Sequence, residues 1–320
     1  MSTALRLLIA LATVTFGAQA LAQPAQKSPP APPPAAADSG NTDLAFGAYQ
    51  RGYYLTALSE ASKRAQQNDP VAMTLLGELY AQGLGVPRDD AKAADWYKLA
   101  AAKGDRNAMF ALAMFNFEGR IGPKNPDEAA HLLSDAAKLG HPAAEYDLGL
   151  LYLQGQQFPQ DFKRAAELFR SASDAGNPEA QYALATMYKD GRGVEKDINK
   201  AMQLMGLASI SGNVDAMVEY AIAEFNGTGV RKNETGAAQL LQKAANRGSA
   251  IAQNRLARVL MAGRGMPANP TEAVKWHIIA KAAGASDPEL DLFASKQPQN
   301  VRDAAQKEAD KWLSTTAPRS

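Results

Sequence analysis

The stretch AMTLLGELYAQGLGVPRDDAKAADWYKLAAAKG, Ala72 to Gly104, decides the fold. Ala72, Leu76, Leu79 and Tyr80 recur at i, i+4, i+7 and i+8, which is one face of a 3.6-residue helix. That stripe stops at Gly83, where glycine can take the left-handed conformation that ends a helix without a Cβ penalty. Asp89 then restarts the pattern, because an aspartate side chain can accept from the orphan backbone N–H groups of a new helix. Ala93, Trp96 and Ala100 line one face of that second helix, which ends at Gly104. One turn of sequence therefore reads as two helices joined by a glycine hinge.

Moving outward in steps of 36 residues, Gly104 is followed by Gly140, Gly176, Gly212, Gly248 and Gly284. The other landmarks keep step. Ala72, Ala108, Ala144, Ala180, Ala216 and Ala252 form one column, and Gly83, Gly119, Gly155, Gly191, Gly227 and Gly263 form another. The restart column is Asp89, Asn125, Asp161, Asp197, Asn233 and Asn269, with Pro126 and Pro270 at the first helical position. Small residues also recur at Gly77, Ala113, Gly149, Ala185, Ala221 and Ala257. Small side chains at fixed points on two antiparallel helices let their axes approach, while Leu76 or Trp96 is expected to fill the space beside them. A 36-residue period without insertions predicts an α-solenoid. The units are 69–104, 105–140, 141–176, 177–212, 213–248 and 249–284.

The pattern A-x-x-x-L-G-x-x-Y-x-x-G-x-G-V-x-x-D-x-x-K-A-x-x-W-Y-x-x-A-A-x-x-G, met in full by Ala72 to Gly104, resembles the Sel1-like repeat, a relative of the tetratricopeptide repeat. The resemblance implies an all-α, right-handed solenoid of antiparallel helix pairs whose first helices line a concave surface. Ile121-Gly122 and Gln157-Phe158 depart from the hinge pattern in units two and three, and Tyr220 replaces leucine in unit five. Gly191 to Asp197, GRGVEKD, is a hinge of this kind rather than a phosphate loop, since no strand precedes it and no Lys-Ser/Thr ends it.

Residues 41–68 repeat the small-aromatic rhythm without a long hinge and are read as a shortened opening helix pair. Residues 285–320 leave the pattern and contain a charged helix from about Asn300 to Leu313, the polar cap a solenoid end requires. At the other extreme, Arg6, the apolar run Leu7 to Phe16 and Ala20-Leu21-Ala22 make residues 1–22 an expected secretory signal peptide. Residues 23–40, rich in proline and alanine, are an expected disordered linker. Export to the periplasm is the expectation that follows, with no membrane anchor once the signal is removed.

Cleavage after residue 22 leaves 33 basic against 33 acidic side chains, so the chain carries no long-range field to gather nucleic acid or an anionic surface. It has no cysteine, hence no disulfide scaffold and no thiol nucleophile. His131, His141 and His277 stand apart, and neither a metal-ligand spacing nor a G-x-S-x-G elbow appears. No catalytic residue, cofactor or metal is expected, and the chain is read as a non-enzyme.

Binding must then use positions the repeat leaves free. On the first helix the stripe two residues along from the packing face lies about 200° around. In unit one it reads Thr74, Glu78, Ala81 and Gln82, a solvated face. Later units differ: Phe110, Met114 and Phe117, then Tyr146, Leu150 and Leu153, then Tyr182 and Lys189, then Ile222 and Phe225. Such a strip suits capture of another protein's amphipathic segment, and the same side chains suit packing between repeats equally well. The order of elements is similar to that of bacterial periplasmic regulators of exopolysaccharide synthesis, which implies the periplasmic domain of a membrane sensor kinase as the partner. A peptidoglycan-binding or cell-wall-remodelling role is the alternative, and a purely structural spacer is a third.

Overall fold

A glycine ends each first helix of the repeats, and an Asp or Asn starts each second one. In the computed structural model the described residues are 43–316, so the expected signal peptide, the linker, residues 41–42 of the opening pair and the last four residues lie outside them. Among the described residues there are sixteen helices and no strand. The opening pair is α1 (Leu44–Gln50) and α2 (Tyr54–Gln66). The repeats supply α3 (Pro70–Gln82), α4 (Asp90–Ala101), α5 (Arg106–Glu118), α6 (Pro126–Lys138), α7 (Pro142–Gln154), α8 (Phe162–Asp174), α9 (Pro178–Asp190), α10 (Ile198–Ile210), α11 (Val214–Asn226), α12 (Glu234–Asn246), α13 (Ala250–Ala262) and α14 (Pro270–Ala282). The chain closes with α15 (Pro288–Ser295) and α16 (Gln299–Thr316). This is the all-α repeat architecture of a solenoid. It falls into two compact units divided between Gln160 and Asp161.

Each first helix of a repeat ends on a left-handed glycine, with φ between 66° and 74° at Gly83, Gly119, Gly155, Gly191, Gly227 and Gly263. Each second helix begins on its Asp or Asn, whose side chain accepts from the backbone N–H three residues on: Asp89 from Lys92 at 3.0 Å, Asp161 from Arg164 at 2.9 Å, Asn269 from Glu272 at 3.1 Å. Asp287 caps α15 in the same way, accepting from Glu289 and Leu290.

Alanine columns at 93, 129, 165, 201, 237 and 273 are fully buried, as the close approach of paired helices demands. Beside them the filler is the residue after Trp96. Tyr97, Leu133, Phe169, Met205, Leu241 and His277 are all buried, whereas Trp96 is only partly so. Tyr97 points at the small column, where a Cβ on Gly77 would lie 2.4 Å from its ring, and its hydroxyl donates to Glu78 Oε2 at 3.0 Å. In unit five the larger Tyr220 is accommodated because Gly206 opposite it has no side chain; a Cβ there would stand 3.2 Å from the ring.

Second glycines of the hinges mark a further contact. Gly193 has φ +70°, and a Cβ there would fall 2.1 Å from the carbonyl oxygen of Phe162, at the start of α8. Gly265 stands in the same relation to Glu234. Ile121 and Gln157 occupy this position in units two and three, and neither has positive φ. Those two hinges therefore take another path, because a branched or long side chain is strained in the left-handed region.

Candidate functional site

All ten side chains of the predicted strip, Phe110, Met114, Phe117, Tyr146, Leu150, Leu153, Tyr182, Lys189, Ile222 and Phe225, are half-buried. Their surroundings differ. Phe110 stacks on His141 with ring centroids 4.5 Å apart, and His141 is itself the cap of α7, its Nδ1 accepting from the Ala144 N–H at 3.1 Å. Burial first, then the nearby Arg106 charge, lowers the His141 pKa and favours the neutral ring that this cap needs. Phe110 thus packs one repeat against the next.

In the second compact unit, Tyr182 and Lys189 of α9 converge on Glu219 of α11. The hydroxyl donates to Oε1 at 2.9 Å and the ammonium to Oε2 at 2.5 Å. One turn earlier on the same helix, burial and then the Glu219 charge raise the pKa of Asp215. Tyr182, Lys189 and Glu219 thus tie adjacent repeats together.

Ile222 and Phe225 are placed otherwise. With Met261 of α13 they floor a cleft of about 330 Å³ between two first helices, lined also by Arg255, Arg258, Arg264 and Glu289. The volume is at the low end of the ~300–1,000 Å³ usual for ligand sites. It suits side chains of a docked segment better than a large cofactor. Arg264 lies over the Phe225 ring, 5.8 Å from its centroid. Arg258 forks onto Asp287 at 2.7 and 2.8 Å and reaches Glu289 at 2.6 Å.

Sequence reasoning passed over Arg255, Arg258 and Met261, because unit six has lost the aromatic residues that drew attention to its predecessors. The register held the signal: Arg258 and Met261 stand one period after Ile222 and Phe225. In unit one the expected solvated face is mostly covered. Ala81 is buried, Glu78 is half-buried under Tyr97, and only Gln82 is exposed. The histidines have packing or surface places: His131 is exposed, and His277 is buried with Nε2 2.9 Å from Asp291. Among the described residues no group of three or more acidic or histidine side chains could hold a metal ion, and no helix is long and apolar enough to cross a membrane.

A Sel1 repeat profile matches residues 70–105, 106–141, 142–177, 178–213, 214–249 and 250–284. The chain belongs to the Sel1 repeat family. Sel1 repeats generally serve as protein–protein interaction scaffolds and are typically non-catalytic. Among solved Sel1 structures, the chain is similar to a Sel1 repeat protein from Oxalobacter formigenes, at 28% identity and a TM-score of 0.66 over 75% of this chain and 97% of that one. It is also similar to c5321, a protective antigen present in uropathogenic Escherichia coli strains displaying an SLR fold, at 25% identity and a TM-score of 0.57 over 86% of this chain and 68% of that one. No curated protein matches this Sel1 chain.

Proposed function

We propose that the protein is an exported adaptor that holds a partner protein on the face of its first helices. The cleft over Ile222 and Phe225 carries this reading: an apolar floor lies open between two first helices. The family's general use as an interaction scaffold supports it. Export rests on the pattern of residues 1–22. The partner we favour is the periplasmic domain of a membrane sensor kinase, on the similarity of layout to regulators of exopolysaccharide synthesis.

A photo-crosslinking residue in place of Phe225 or Met114, activated in intact cells and followed by mass spectrometry, tests this. The expected product is one discrete protein adduct, periplasmic in fractionation. Adducts to murein, or none at either position, overturn the adaptor reading, and a cytoplasmic protein overturns export. Phe225 is the better probe of function than Phe110, since removing the Phe110 ring also unpicks its stack on His141.

A further inference from the structure

The rim of the cleft between α11 and α13 is unevenly matched in charge. Arg258 is held by Asp287 and Glu289, and Arg264 by Glu234 at 2.5 Å. Arg255 is exposed and has no ion pair or hydrogen bond among the described residues. Its guanidinium stands beside an apolar floor, where an occupant that displaced water would lower the local dielectric and strengthen any charge pair formed there.

We propose that the cleft takes a segment of the partner protein in which a large apolar side chain is flanked by an aspartate or glutamate side chain. The apolar group lies on Ile222, Phe225 and Met261, and the carboxylate meets Arg255. A planar guanidinium can pair with a carboxylate through two N–H groups, which fixes the register of the segment as well as its charge. A basic residue at the same place would face an uncompensated like charge, so Arg255 selects as well as attracts. This rests on the adaptor reading and adds the chemistry of what is held.

Selection of phage-displayed random peptides on the purified protein tests it. The enriched sequences should place Leu, Phe or Trp beside Asp or Glu. Their synthetic forms should bind Arg255→Glu about tenfold or more weakly, the effect of losing one good charge-assisted pair. Melting temperature should not change, because Arg255 supports nothing else, and changing the peptide's acid to lysine should restore binding to the variant. Apolar peptides without an acid, or peptides bound equally by Arg255→Glu, overturn the proposal. If such peptides are instead lost with Met114→Ser, the adaptor reading survives its failure, and if no peptide is enriched both fall.

Discussion

Gly193 shows how one residue sets the spacing between helix pairs. Two demands meet there: a φ of +70°, which L side chains rarely adopt, and a carbonyl oxygen 2.1 Å from where a Cβ would stand. Gly176 meets only the first, with φ +87° and nothing within 4 Å of its would-be Cβ. Strain alone costs about 1 kcal/mol, and forcing α8 aside adds a further ~1–3 kcal/mol. Gly193→Ala should therefore lower the unfolding free energy by about 2–4 kcal/mol, and Gly176→Ala by about 1 kcal/mol. Urea titrations of the two variants compare them, and equal losses would remove the backbone contact from the account. The glycine column was legible in sequence because a 36-residue period displays it six times. The contact partner was not, since Phe162 reaches Gly193 only through the folding of the intervening helices. Tyr97 teaches the same lesson: a Trp-Tyr pair in sequence gives two bulky candidates for one gap, and only helix rotation selects the second.

At the scale of elements, arginines staple hinges to the preceding repeat, and they alternate. Arg120 bonds back to Asp90 at 3.1 and 2.5 Å, Arg192 covers the Phe162 ring at 4.4 Å, and Arg264 pairs with Glu234. Leu84, Gln156 and Thr228 occupy the same column in the other units. The period hides this device, because the partners in the preceding repeat differ: Arg120 finds an acid, Arg192 an aromatic ring, and Arg264 both. Caps, hinges and helix pairing were readable for the opposite reason, being local chemistry repeated. The open cleft was half readable, since Ile222 and Phe225 lie in the aromatic strip while Arg255 and Met261 belong to a unit without one. The closing element α15 is fixed by a buried acid. Asp287 would have its pKa raised by burial, but Arg258, Asn254 and the Leu290 N–H hold the carboxyl at about 2, below its ordinary 3.8. A folded value beneath the unfolded one means that this stabilisation is complete above about pH 4 and is lost as pH falls through about 2. Asp287→Asn should cost about 1.5–3 kcal/mol at neutral pH, the worth of hydrogen bonds to a charged group. The variant should also flatten the stability profile between pH 4 and 2, read by tryptophan fluorescence from the Trp276–Trp312 contact nearby. An unchanged profile in the variant would assign the acid sensitivity to other carboxylates.

For the whole molecule, the ends matter because a stack of repeats has no natural stopping point. The last repeat buries Trp276 edge-on against Trp312 of α16, with centroids 6.0 Å apart, and Leu290 of α15 is buried in the same cluster. That contact converts an apolar helix-pair face into a surface whose outer side is Asp303, Lys307, Asp310 and Lys311, all exposed. Charge gives little other protection, since the chain has 34 basic and 33 acidic side chains and so little net repulsion between copies. Solubility is then expected to depend on the polar cap. Removing residues 287–320 should leave the repeats helical while uncovering the Trp276 face, and copies should associate through it as concentration rises. Light scattering across a dilution series, with circular dichroism as the check on helix content, distinguishes this from unfolding. Trp312→Ser in the full chain should show the same tendency more weakly, because Leu290 and the rest of α16 still cover part of the face. A truncated chain that keeps the full chain's state of association at every concentration, with its helices intact, would mean that α15 and α16 do not serve as the cap.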